Sequence, residues 1–367
     1  MTIREYNALS LPAVAAEWYQ KPEGWVPISR TRAWAMSRNP RADEADVALV
    51  TAEEQGRLLS FIGVLPDRIR FEGRNDKVGW LSSWWVDPTH KRSTVAAELF
   101  YRVLERYEGR VGVSTFSESA GRIYKASGKF TALPELVRVN YIFRLDLERH
   151  FWRWAEAAAP ARWGLAVAGG MVNPVLSLVK RYKAAAAQAT KIPITYLKSI
   201  DEETDRFINR HNHNELSRRA AAEYDWILHH PMTCPEDYED RETARYPFHL
   251  KCRNFSHWIV RVHRPDHSLA AVCLLLTRDN ALDVKYCHYD DDALDLLLRV
   301  LWGHALRRRV RRLSLYDERL QKAVETSRLP FLYKTVLNIK PIIGKVLESS
   351  ALQTVRMQGG DGDSVLF

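Results

Sequence analysis

At 367 residues the chain exceeds the usual length of one domain, and an apolar content of 46% against 27% charged residues excludes general disorder. A formal net charge of +9 suits phosphate-bearing small molecules, anionic lipid or nucleic acid, and does not choose among them. The one dense basic run, Arg307, Arg308, Arg309, Arg311 and Arg312, ends a predicted helix where cations answer the dipole, so nucleic acid is not favoured. Cys234, Cys252, Cys273 and Cys287 have no C-x-x-C spacing and no paired histidines nearby, which points to reduced thiols, a cytoplasmic setting and no metal site. The N-terminus lacks a basic region followed by an apolar stretch, so no secretory signal is read. Trp163 to Val179 is apolar but interrupted by Gly169, Gly170, Asn173 and Pro174, and falls short of the roughly 20 residues of a bilayer span. A buried or interdomain helix is expected there, and the flanking Lys180, Arg181 and Lys183 leave a peripheral contact with a membrane surface open.

In chain order, Val47 to Ile62 predicts two strands around a turn at Glu53 to Gly56. Lys77 to Val86 predicts a Trp-rich strand ended by Asp87-Pro88, because proline donates no ladder bond. Val95 to Glu108 places Val95, Leu99, Val103 and Leu104 near one helix face, and a strand follows at 111 to 115. Ser117 to Ser127 predicts a second helix, with Ser117 as N-cap and Gly128 past its end. Val137 to Leu145 is expected to close this first sheet as its last strand. Residues 1–150 thus form one domain, 151–191 an Ala-rich helical linker, and 192–367 a second domain that loosely repeats the order. In the second part, helices run through Leu228, a hairpin spans His257 to Thr277, and a strand covers Leu282 to Tyr289. A helix over Ala293 to Arg309, a strand over Arg312 to Tyr316, a helix over Glu318 to Thr326 and a strand over Phe331 to Asn338 complete it. The Gly- and Asp-rich tail from Gln358 to Phe367 is expected to be loop.

The chemistry concentrates in VDPTHKRSTVAAEL, Val86 to Leu99, followed one strand later by STFSESAGRIYKASGKF, Ser114 to Phe130. A strand leading through a loop into a helix offers unpaired amides and the positive end of the dipole at Arg92 to Ala97, an anion site on physical grounds alone. In order and spacing these segments resemble the core signature of the GNAT acyltransferase superfamily. The resemblance implies an α/β (α+β) fold of two GNAT-like domains, each a mixed, mostly antiparallel sheet flanked by helices. It implies an acyl-CoA co-substrate, acetyl-CoA or another, with its pyrophosphate on the loop amides. The implied contacts are Trp85, Val86, Lys91, Arg92, Ser93, Thr94, Val95, Ala96, Ser117 and Ala120. Thr94 stands where the family has Gly, and Lys91 where it has Arg or Gln. By resemblance Tyr124 protonates the departing thiolate, and a phenol is protonated at neutral pH.

An amine acceptor must lose a proton, and no Glu stands on the strand before the loop, where Ser82 and Ser83 are found instead. Asp225, His229 and His230 in the second half are the candidate bases, His titrating near neutral pH. The second half carries Tyr289 to Ala293, YDDDA, where the phosphate loop would recur, so that copy is expected to bind no coenzyme and to shape the acceptor site. The two-copy layout and Ala221 to Pro231 are similar to bacterial N-acyltransferases acting on nucleotide-linked amino sugars for surface polysaccharides. Two other readings stay open: a non-catalytic GNAT-like binding protein, and an aminoacyl-tRNA-dependent transferase of related double fold. The acyl chain and the oligomeric state are not read from the sequence.

Overall fold

The computed structural model describes residues 1–90, 94–144, 192–233, 243–250, 252–327 and 329–366. The chain runs β1 (Thr2–Asn7), α1 (Leu11–Gln20), α2 (Arg30–Ser37), β2 (Val47–Glu54), β3 (Arg57–Phe71), β4 (Arg74–Val86), α3 (Val95–Arg106), β5 (Val111–Val113), α4 (Glu118–Ser127), β6 (Phe130–Ala132) and β7 (Leu136–Ile142). It continues with β8 (Ile194–Leu197), α5 (Glu202–His211), α6 (Ala221–His229), β9 (Phe255–His263), β10 (Leu269–Arg278) and β11 (Ala281–Tyr289). The last elements are α7 (Leu294–Arg307), β12 (Arg312–Leu315), α8 (Glu318–Thr326), β13 (Tyr333–Ile339) and β14 (Ile342–Gly344).

Two sheets of seven strands result, ordered β1-β2-β3-β4-β5-β14-β6 and β13-β7-β12-β11-β10-β9-β8. The meander β2-β3-β4 turns twice through residue pairs with positive φ, Gln55-Gly56 and Glu72-Gly73, whose backbone twist matches that of the strands. In each sheet a helix then crosses over to a parallel neighbour: α3 joins β4 to β5, and α7 joins β11 to β12. Val95, Leu99, Phe100, Val103 and Leu104 of α3 are buried against Val50, Ile62, Val64, Leu81, Val111 and Val113. The second core gathers Val260, Leu275, Val284, Leu298, Leu301, Trp302 and Leu313. No helix among the described residues is long and apolar enough to cross a membrane.

Two features depart from the linear reading. The segment expected to close the first sheet, β7, pairs with β12 instead, from Arg312↔Ile142 to Leu315↔Val139. The cause lies in its inward side chains: Tyr141 packs against Trp302 and Phe331 at ring distances of 5.2 and 5.1 Å, and Phe143 caps the same cluster at 5.7 Å from Trp302. The place vacated in the first sheet, between β5 and β6, is taken by β14, with Ile342 opposite both Val113 and Ala132.

The division into domains 1–150 and 192–367 is therefore not the one the contacts make. One compact unit comprises Met1–Leu136, Lys198–His257 and Asn338–Phe367, and the other Val137–Leu197 and Trp258–Leu337. α5 and α6, expected in the second domain, belong to the first unit because buried polar groups there require them. Trp226 of α6 donates through Nε1 to the Ala35 carbonyl at 2.8 Å. Arg41 reaches both Asp67 (2.7 Å) and Glu223 (2.6 Å), and Arg219 closes on the other Asp67 oxygen at 3.1 Å. The linker expected over 151–191 lies outside the described residues.

Candidate active site

β4 and β5 are paired at only two positions, Gly79↔Val111 and Trp80↔Gly112. On its other side β4 stays bonded to β3 as far as Val86, so Leu81 to Val86 extend past the point where β5 leaves. The pairing register between β3 and β4 shifts between Gly63 and Val64, leaving Ser82 as the extra residue of a bulge. Gly63 is needed opposite it, since a Cβ there would lie 2.5 Å from the Ser83 hydroxyl. The two parting strands thus make an opening in the sheet, lined by main-chain groups of β4 without a β5 partner.

α3 begins beside the end of β4. Lys91, Arg92 and Ser93 lie outside the described residues. Asp87 opens the connection, accepting from the Thr89 amide (2.9 Å), the Thr89 hydroxyl (2.6 Å) and Arg57 (2.8 Å). Burial opposes its charge, but these bonds prevail and hold its carboxyl down to about 2. Thr94 precedes the helix at φ −77° and ψ −7°, ordinary right-handed backbone, so the exchange of Gly for Thr costs no strain. The first-turn amides of Val95, Ala96 and Ala97 have no carbonyl within the helix to bond, as an anion site requires. Glu98 also sits in that turn and receives the Thr94 hydroxyl at 2.5 Å.

α4 places Tyr124 at the opening. Ser117 caps the helix by accepting from the Ala120 amide at 3.3 Å, and Gly128 ends it at φ +65°. This gives Ser117 and Ala120, expected on the cofactor, a helix-capping arrangement in the structure. The Tyr124 ring is ringed by Phe130 (5.3 Å), Phe100 (5.5 Å), Phe116 (5.5 Å) and Trp84 (5.8 Å). Its hydroxyl makes no hydrogen bond among the described residues. Burial, and then the negative charge of Asp363, push its phenol above the ordinary value, so it is a proton donor across the neutral range. Trp84 lies on this face, with its indole N–H buried and without a partner among the described residues, whereas Trp85 points to the opposite face. The cofactor assignment of Trp85 therefore rests on its main chain, and the side chain beside Tyr124 belongs to its neighbour Trp84.

The opposite face carries Trp85 against Trp25 (5.7 Å) and Phe61 (5.9 Å), with Tyr246 and Phe248 both 6.0 Å from Phe61. Arg32 is buried and donates to Ser82 in the bulge at 2.7 Å. A small recess is lined by Ser29, Arg32, Met232, Thr233, Tyr246, Phe248, His249 and Leu250, and the Tyr246 hydroxyl is buried with no partner among the described residues. The candidate bases stand at the end of α6, in the same unit as Tyr124. Asp225 accepts the Ile200 amide at 2.7 Å. His229 is exposed, its Nδ1 2.8 Å from the Asp225 carbonyl. His230 is partly buried, and burial, then His229 and Arg38, lower its affinity for a proton. None of the three touches the Tyr124 ring.

Chemistry that the sequence reading passed over comes from the tail. Ser114, the residue after β5, donates its hydroxyl to Asp363, and both side chains are buried. In the second unit, β11 and β12 part after Asp283↔Ser314, but the matching position is occupied by a buried Lys285 and by Asp283 paired with Arg312 at 3.1 Å. Asp290 and Asp292 of YDDDA are bound by Arg264 at 2.9 and 2.6 Å. No cluster of three or more His, Cys, Asp or Glu among the described residues is placed to hold a metal.

A mixed sheet whose two central parallel strands part between a helix start and an aromatic-boxed tyrosine is the GNAT fold, and the second seven-stranded sheet repeats its strand–helix–parallel strand crossover. Residues 26–130 match the family described as an acetyltransferase (GNAT) domain. Among solved structures, the chain is similar to a probable N-acyltransferase of Enterococcus faecalis, at 9% identity and a TM-score of 0.50, covering 94% of this chain and 73% of that one. It is equally similar to the N-myristoyltransferase of Saccharomyces cerevisiae with bound myristoyl-CoA, at 7% identity and a TM-score of 0.50, covering 94% and 78%. A tandem GNAT protein of the clavulanic acid pathway shares 13% identity over 95% of this chain and 99% of its own, with a TM-score of 0.47. No curated protein sequence matches the chain.

Proposed function

We propose that the protein transfers an acyl group from acyl-CoA to a primary amine at the opening between β4 and β5. The observation that carries this reading is the Tyr124 hydroxyl, protonated and without a hydrogen-bond partner among the described residues, at the end of β4 where Leu81 to Val86 run on past β5. The amides of Val95, Ala96 and Ala97 would take the pyrophosphate, and Trp84 and Phe116 would flank the pantetheine arm. The thioester would then lie between the strands, where main-chain donors polarise its carbonyl and Tyr124 gives its proton to the departing thiolate.

The acceptor would approach from the other face. Trp25 and Phe248 are 43% and 38% exposed beside Trp85, a platform suited to a sugar or base ring. Arg32 and Tyr246 supply polar groups in the adjoining recess, and His230 lies two residues before Met232 on its rim. A nucleotide-linked amino sugar is the acceptor we favour. Arg219, which is buried against Asp67 at 3.1 Å, is not available to its phosphates. Glu98, in the first turn of α3, supports a second reading, a GNAT-like protein that binds without catalysis, because a carboxylate there repels phosphate.

Calorimetry with coenzyme A separates the two readings, micromolar binding being expected of the enzyme. Tyr124→Phe is then expected to lower kcat at least tenfold with coenzyme affinity unchanged, because its hydroxyl acts in the transition state. Full turnover by that variant would return Tyr124 to a packing role.

A further inference from the structure

We propose that Asp363, on the returning C-terminal tail, takes the proton from the acceptor amine. This assignment rests on the acyltransferase reading and completes it. Leu81 to Val86, which run on past β5, and β5 itself contain no carboxylate and no imidazole, while in α4 Tyr124 is a proton donor and Glu118 is exposed and paired with Arg122 at 3.3 Å. The tail brings the missing group to the same opening. Gly362, at φ +64°, passes so close to β4 and β5 that a Cβ would stand 2.9 Å from the Trp80 ring and 3.3 Å from Ser114. Asp363 follows, with its carboxylate receiving the Ser114 hydroxyl and its charge felt by the Tyr124 phenol.

The tail is fixed upstream of this point. The Leu216 amide donates to the Arg356 carbonyl at 3.1 Å, and the Gln358 side chain donates to Glu215 at 2.6 Å. The Gln358 amide is received by Asp361 at 2.8 Å, which turns the chain through the buried Gly359 and Gly360 towards Trp80. Asp363 is thus held by main chain on one side and by Ser114 on the other, at 7% exposure.

The protons balance as follows. The ammonium of the acceptor gives one proton to the Asp363 carboxylate, and its freed lone pair attacks the thioester carbonyl, forming the N–C bond. As the C–S bond breaks, the thiolate takes the Tyr124 proton, and the second nitrogen proton restores the phenol. Asp363 releases its proton to water.

The test compares wild type, Asp363→Asn and Asp363→Glu with acetyl-CoA and two acceptors: ethanolamine, an ammonium at pH 7, and hydroxylamine, which is neutral there. Asn is near-isosteric and keeps the Ser114 bond, and thermal melting verifies its fold. Acylation of ethanolamine by the Asn variant should fall 100-fold or more, in the range of general-base effects. Hydroxylamine acylation should fall less than tenfold, coenzyme affinity should be unchanged, and the Glu variant should recover part of the ethanolamine rate. Equal losses with both acceptors, or none with either, would overturn the assignment of Asp363 and leave the acyltransferase reading standing. Failure of coenzyme A to bind the wild-type protein would sink that reading and this assignment together.

Discussion

Asp67 carries a full charge at 1% exposure, and burial alone would drive its proton affinity up. Arg219 and Arg41 prevail and keep it ionised, so β3, the segment after α2 and the segment between α5 and α6 meet on one carboxylate. Asp67→Ala leaves two buried guanidinium groups facing each other, and chemical denaturation should report a loss of about 3 to 5 kcal/mol. His304 of α7 is the counterpart in the second unit. Burial, and then Arg308 and Arg307, lower its pKa from 6.5 to about 4, so the folded protein holds it neutral beside the Tyr196 hydroxyl. The unfolded chain takes up a proton near pH 6.5, so the stability His304 allows is complete above that pH and falls away as the pH drops towards 4. As much as about 3 kcal/mol should be lost over that window, and His304→Asn should flatten the dependence measured by denaturation at a series of pH values. Ser117 and Gly128 were legible in the sequence as the two ends of α4 because helix caps obey local chemistry. Asp363 was not, because its partner Ser114 is 249 residues away and the tail read only as Gly-rich loop.

At the level of elements, the hairpin β2-β3, the amphipathic α3 and the crossovers to β5 and β12 were legible, since each is written in a contiguous pattern of apolar residues. Sheet membership was not. β7 has the composition of a closing strand, and nothing local says which of two sheets it closes. β14 is three residues long, Ile-Ile-Gly, too short to carry a period. Its place is set by a contact: a Cβ on Gly344 would stand 1.8 Å from the Gly109 carbonyl. Gly344→Ala should push β14 from β5 and β6 and cost about 1 to 3 kcal/mol by thermal or chemical melting. The same variant should depress turnover more than stability at low temperature explains, because Asp363 arrives on the chain that β14 anchors.

For the molecule as a whole, an exchange of strands makes neither half of the sequence a complete sheet. Residues 1–150 lack β14, α5 and α6, so that fragment should fail to give a cooperative melting transition and should associate through the unpaired sides of β5 and β6. Wild-type melting behaviour in the fragment would show that β14 is dispensable. The exchange also sets the order of events on the ribosome. β6 is complete at Ala132, but the strand that joins it to β5 ends at Gly344. At about 5 to 20 residues per second, the first sheet waits on the order of 10 to 40 seconds with a gap in it. During that interval the nascent chain presents two bare strand edges, so slower elongation should raise its demand for chaperones, and a chain stopped before Ile342 would never close the sheet.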